Sequence, residues 1–117
     1  MIVRLSWPHK LLWPNGSEGN RHAKAAARKA ARNDAGWSAI QARQRYGIPT
    51  CEGEIPVTLI VYAKSKGPLP DKDNCIAAVK VQLDAIAEQI GVNDRRFAAP
   101  VVEFATPRDG RMEVRLG

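Results

Sequence analysis

Apolar and polar positions change their spacing along the chain, and the changes divide it into elements. Ile2 to Trp7 reads as a short strand, and Trp7 to Gly19, broken by prolines, glycines and asparagine, as a loop. His22 to Gly47 is alanine-rich and free of proline, so it should be helical, with Gly36 as a break or kink and Gly47 as its stop. Ile55 to Tyr62 (IPVTLIVY) is rich in β-branched residues and predicts a buried strand. Lys64 to Pro70 is a connector. From Asn74 to Ile90, the apolar residues Ile76, Val79, Leu83, Ile86, Ala87 and Ile90 recur at helical period, and Gly91 ends the run. Val101 to Thr106 and Met112 to Leu116 read as strands joined by a turn over Pro107 to Gly110. The order is β-α-β-α-β-β. It predicts one α+β domain over residues 1–117, with two helices on a small mixed sheet of about four strands.

Length agrees with that. A chain of 117 residues suits one domain with a modest core. No stretch approaches the ~20 apolar residues of a membrane span. The opening MIVRLSWPHK lacks the uninterrupted apolar core of a signal peptide. Cys51 and Cys75 form no CxxC and have no histidine partner nearby, so they fit neither a zinc site nor a disulfide framework. Together these predict a reduced, cytoplasmic protein with no membrane partner.

Charge then narrows the partner. Lys and Arg total 18 against 12 Asp and Glu, a net charge of +6. A small basic domain suits a polyanion, because neutralised phosphates release condensed counterions. The first helix concentrates the excess: Arg21, Lys24, Arg28, Lys29, Arg32, Arg43 and Arg45 face only Asp34. Lys24, Arg28 and Arg32 recur every four residues and share a helix face. Like charges at that spacing repel, so the stripe weakens an isolated helix and phosphate is the natural compensation. A solvated helix face is the plainer alternative.

Candidate chemistry lies at the mouth of the second helix, in Pro70-Asp71-Lys72-Asp73-Asn74. Two carboxylates one residue apart can face one hard divalent cation. Asp73 is well placed as the helix N-cap. Lys80 and Asp84 follow on the same face at whole-turn spacings. A further carboxylate, Asp94, follows the helix stop and precedes Arg95 and Arg96. Each residue also has an ordinary structural role: cap, turn, i,i+4 ion pair, surface pair. An EF-hand is excluded, because its sixth and twelfth positions hold Ile76 and Gln82. His9 and His22 lack a metal-ligand spacing, and there is no Gly-rich phosphate loop or Ser-His-Asp set.

The run PDKDN followed by AVKVQLDAIAEQIGVNDRRF resembles the signature of the RusA family of Holliday-junction resolvases, with Asp-x-Asp-Asn at a helix start, a lysine on the helix and a trailing aspartate. Trp13-Pro14-Asn15 with Asn20-Arg21-His22 resembles that family's opening segment before a basic helix, and Pro107 to Val114 its final hairpin. The resemblance implies a RusA-like fold and a Mg²⁺-dependent endonuclease, with Mn²⁺ as a substitute and no small-molecule cofactor. Its substrate would be branched DNA, in particular four-way junctions of DNA recombination and repair, cut by paired phosphodiester hydrolysis. It further implies a homodimer, bacterial or prophage-encoded and nucleoid-associated when bound to DNA. Carried over by position, Asp71, Asp73 and Asp94 match the metal-binding aspartates and Lys80 the catalytic lysine, although some members place that lysine where this chain has Ala77. Arg21, Lys24, Arg28, Lys29 and Arg32 would contact DNA. Two alternatives stay open: a non-catalytic DNA-binding protein of the same fold, and a nuclease for flaps or other branched DNA. If Asn74 to Ile90 is one straight helix, roughly 25 Å long, a single chain cannot bring Asp94 to Asp73, and the site would be shared between two subunits.

Overall fold

The computed structural model describes residues 1–14 and 21–117. Among them, four strands form one mixed sheet: β1 (Ile2–Ser6), β2 (Val57–Tyr62), β3 (Val101–Phe104) and β4 (Arg111–Leu116). The order across the sheet is β1-β4-β2-β3. β4 runs antiparallel to both neighbours, while β2 and β3 are parallel. Three α-helices accompany them: α1 (Arg21–Tyr46), α2 (Lys72–Ala78) and α3 (Lys80–Ile90). The α+β reading and the element order are borne out, except that the second helix is two. Strand and helix ends move by a residue or two from the predicted ones. The predicted loop from Trp7 to Gly19 is described only as far as Pro14, where Lys10–Leu12 forms a 3-10 turn; Asn15 and Asn20 lie outside the described residues.

Period-two alternation explains the layers. Val3, Leu5, Val57, Leu59, Val61, Val102, Met112, Val114 and Leu116 all point to one face and join the helices in a single core. The opposite face carries Arg4, Thr58, Tyr62, Glu103, Arg111, Glu113 and Arg115. Register places Arg111 opposite Tyr62, and its guanidinium stacks 3.6 Å from the ring centroid while bonding Glu113 at 2.7 Å and Asp109 at 3.0 Å.

The first helix has no break. It is continuous from Arg21 to Tyr46, about 39 Å at roughly 1.5 Å per residue, which matches the molecule's longest dimension of 39 Å. Its buried residues are Ala35, Gly36, Ala39 and Ala42, all small. Gly36 is therefore a packing residue against Gln89 of α3, not a hinge. No residue from Arg21 to Asp34 is fully buried, so the N-terminal half of α1 has little core of its own.

The second predicted helix breaks at Val79, whose φ of −101° and ψ of 7° leave the helical region. No glycine or proline marks the break. Val79 is wholly buried in the core, and backbone bonds still cross the distortion, from Val79 N–H to Cys75 O at 3.3 Å and from Leu83 N–H to Val79 O at 2.9 Å. Gly91 closes α3 in the left-handed conformation, as its sequence position predicts.

Replacing Gly36 tests its packing role. An added Cβ would meet Gln89 at 3.8 Å, an ordinary van der Waals distance. Gly36→Ala should therefore stabilise the protein by about 0.5–1 kcal/mol through reduced freedom of the unfolded chain, read as a higher midpoint in urea. A lower midpoint would mean that α1 and α3 need the closer approach.

Candidate functional site

The mouth of α2 is built by its cap. Asp71, not Asp73, is the N-cap: its Oδ1 accepts from Asp73 N–H at 2.8 Å and from Asn74 N–H at 3.3 Å. The helix starts two residues earlier than predicted, at Lys72, because this carboxylate satisfies its free amides. Asp73 falls in the first turn, where its charge suits the helix dipole. Both carboxylates are solvent-exposed. Close by in the first turn, Cys75 is wholly buried. Burial, with the charge of Asp71 adding to it, pushes its thiol up to about 11. It therefore stays protonated at neutral pH, a packing residue and not a ligand.

The connector into this mouth is fixed from the β3–β4 turn, where Arg108 Nη2 donates to Gly67 O at 2.8 Å. Lys64 and Lys66 in this connector are exposed, and the Lys64 ammonium lies over the Trp7 ring, 5.9 Å from its centroid. Sequence reasoning did not single them out, although the lysine density of Lys64 to Lys72 was a usable signal.

Asp94 opens a 3-10 turn, Asp94–Arg96, whose N-cap Asn93 accepts from Arg95 N–H at 2.9 Å. The arginines that follow do not neutralise it. Arg96 instead donates to Gly53 O and Cys51 O, at 3.1 and 2.7 Å. Asp94 lines a cleft of about 220 Å³ together with Lys80 and Asp84, walled by Ile76, Leu83 and Phe97 among others. Lys80 Nζ lies 3.8 Å from Asp84 Oδ1, with 73% of the lysine side chain exposed. An ion pair so exposed contributes only a few tenths of a kcal/mol, so it leaves the lysine free to take another partner.

The predicted stripe of Asp73, Lys80 and Asp84 is thus divided. Lys80 and Asp84 line the cleft; Asp73 does not. The straight rod that kept Asp94 a helix length from the mouth is also corrected. The chain turns back after Gly91, and Asp94 shares the cleft with Ile76 and Ala77, close behind Asp73. Asp94 thus lies alongside the start of the helix without forming a cluster with Asp71 and Asp73 in one chain, so a site shared between two subunits stays open. Among the described residues, no three His, Cys, Asp or Glu side chains converge on one point in a single chain. The donor chemistry still fits a hard divalent cation: Asp71 keeps one oxygen beyond its cap bonds, and the Asp73 and Asp94 carboxylates form no hydrogen bond or ion pair among the described residues.

The basic helix is placed as expected, since Arg21, Lys24, Arg28, Lys29 and Arg32 are all exposed on α1. Arg32 pairs with Glu88 of α3 at 3.2 Å. Lys24, Arg28 and Lys29 have no acidic partner among the described residues.

No family model matches the chain. A protein of Xylella fastidiosa strain Temecula1, itself uncharacterized, is 32% identical over 122 aligned positions that cover 97% of this chain and 74% of that protein. The chain belongs to the same family as that Xylella protein. No helix among the described residues is long and apolar enough to cross a membrane.

Two substitutions at one residue separate the cap from the charge. Asp71→Ala should destabilise the protein by about 1 kcal/mol, whereas Asp71→Asn should be nearly neutral because asparagine caps equally well. Chemical denaturation of both variants reads the difference. Equal destabilisation would show that the charge, not the cap, supports α2.

Proposed function

We propose that this chain is a divalent-metal-dependent, structure-specific DNA endonuclease that resolves four-way junctions, acting as a homodimer in recombination and repair. One observation carries the reading. In a chain of net charge +6, Asp73 and Asp94 stand unpaired around the α2 mouth and the adjoining cleft, although Arg95, Arg96, Lys72 and Lys80 are within a few residues of one or the other in sequence or line the same cleft. Carboxylates left without a cation in a basic protein are suited to an added one.

Asp71, Asp73 and Asp94 are the residues that would hold the metal. Bound there, Mg²⁺ (or Mn²⁺ in its place) supplies an activated water and cover for charge on the phosphoryl oxygens. Lys80 reaches the same phosphate from the cleft and stabilises charge as it develops. Exposed cations of α1 would hold the DNA backbone without reading sequence, with the exposed Lys64 and Lys66 available to add to them. A four-way junction has approximate two-fold symmetry, so a C2 pair of chains presents two equivalent sites to it.

Asp71→Asn or Asp73→Asn should abolish Mg²⁺-dependent cutting of a synthetic four-way junction and leave binding intact in a gel-shift assay, since affinity and chemistry reside in different groups. Asn variants that cut at the wild-type rate would remove the metal assignment. Comparison of junction, flap and plain duplex substrates separates junction resolution from a broader branched-DNA nuclease, and binding without cutting in the unmodified protein would leave a non-catalytic DNA-binding role.

Charge reversal at Lys24 or Arg28 should weaken binding to every branched DNA alike. It should also reduce the slope of log affinity against log salt by about 1 for each phosphate no longer neutralised. Arg32→Glu should in addition break the pair with Glu88 and so act on stability as well. An unchanged salt slope would return the stripe to a solvated surface.

A further inference from the structure

A second cleft, of about 230 Å³, lies on the other side of α3. It is formed by the N-terminal half of α1 and the segment after β1. Ala27, Ala30 and Ala31 form one wall, and Trp7, Pro8 and Leu12 the other. Three polar side chains bear on what it can hold. Gln82 of α3 lines it at 2% exposure, and its Oε1 is buried with no hydrogen-bond partner among the described residues. Asp34 lines it with one oxygen, Oδ2, taken by Ser6 Oγ at 3.1 Å and the other unused. His9 lines it with Nδ1 already accepting from Leu11 N–H at 3.1 Å.

The fully buried capacity left unmet is therefore acceptor capacity. A buried amide oxygen without a partner is a standing cost to the fold, and among the described residues no lysine or arginine lines this cleft to relieve it. The same lining disfavours phosphate or any other anion. A ligand here must bring hydrogen-bond donors, and between walls of alanine and aromatic or aliphatic side chains the rest of it must be apolar and thin.

Two donor classes meet that description, an amine cation and the amino edge of a nucleobase. The surroundings separate them. The same helix that walls the cleft carries Lys24, Arg28 and Lys29, with no acidic partner among the described residues. This field repels a free cation and attracts a phosphodiester chain. A base delivered on such a chain presents a planar ring with donors at its edge, and bases drawn out of a stack are read in pockets of this kind.

We propose that this cleft takes a single unpaired nucleobase bearing an exocyclic amino group, which donates to Gln82 Oε1 and to the unused oxygen of Asp34. This makes the cleft a second DNA-binding site, separate from the carboxylates, and one that discriminates amino from carbonyl at the base edge. It rests on the nucleic-acid reading above.

The test uses pairs of nucleotides that differ by that one group. The intact protein is titrated with dAMP and with its deaminated counterpart dIMP, then with dCMP and dUMP, following the Gln82 side-chain amide and the Trp7 indole by NMR. The amino member of each pair should shift both signals and bind about tenfold more tightly than its oxo partner, the difference expected for one unpaired buried acceptor. Gln82→Leu keeps the burial and removes the acceptor, so it should fold and abolish the preference. Asp34→Asn, at an exposed position, should reduce the preference without risk to folding. Equal binding within each pair, or putrescine shifting these signals where nucleotides do not, overturns the proposal. Junction binding measured alongside keeps the two readings apart. Intact junction binding with no amino preference ends the base pocket alone, whereas an amino preference without junction binding ends the nuclease reading alone.

Discussion

The structure depends on how closely α1 can approach α3 and the sheet. A helix whose buried residues are three alanines and a glycine (Ala35, Gly36, Ala39 and Ala42) removes little apolar area per residue. It gains enough only if its axis comes near its neighbours, so that backbone and Cβ atoms themselves do the packing. Gly36 against Gln89, and the bond from Arg43 Nη1 to Gln89 O at 3.2 Å, mark that near approach. With its C-terminal half committed there, the N-terminal half has no fully buried residue from Arg21 to Asp34, and among the described residues it faces the segment after β1 across a cleft. That half displays the basic stripe and also walls the cleft over Gln82. One packing constraint thus generates both of the proposed nucleic-acid surfaces.

How far the residues alone could reveal this differed by feature. Strands were legible because their β-branched runs face a single core and alternate. The helical character of α1 was legible from alanine content, but the role of Gly36 was not: glycine inside a helix has the same local signature whether it bends the chain or receives a neighbour. The break at Val79 left no local mark either. Val79 is wholly buried, but so are Cys75 and Ile86, which stay helical, so burial alone does not set the break. The cap also moved, from Asp73 to Asp71. Both residues are competent caps, and the local sequence does not say which carboxylate meets the free amides; in the fold it is Asp71.

For the candidate site, the residue types were legible and their grouping was not. Asp71, Asp73, Asp94 and Lys80 could be chosen from spacing and from resemblance. Spacing on an ideal helix then placed Asp73 with Lys80 and Asp84, and placed Asp94 far away. In the fold Asp73 lies outside the cleft that Lys80 and Asp84 line, and the return of the chain after Gly91 brings Asp94 into it. Arg96 contributes to that outcome. By donating to the Cys51 and Gly53 carbonyls it ties the turn to the segment before β2 and is withheld from the carboxylate two residues earlier.

That withholding bears on function more than any single distance does. Some carboxylates of this basic protein are met by its own cations: Asp109 and Glu113 by Arg111, Glu88 by Arg32, and Asp84 loosely by Lys80. Asp73 and Asp94 form no such pair, and in this they resemble Asp34, Glu52, Glu54 and Glu103 among the described residues; they differ in lying at the α2 mouth and in the adjoining cleft, with cations close to both in sequence. Pairing them internally would add little, since exposed ion pairs are weak. It would, however, lower their affinity for an added cation, because each ammonium or guanidinium nearby repels it. Keeping Arg96 turned toward backbone carbonyls, and Lys80 held only by a loose pair with Asp84, preserves a local negative field inside a positive molecule. On the proposed function, a phosphodiester would be drawn in by the surrounding charge, and a divalent ion would occupy the negative centre beside it.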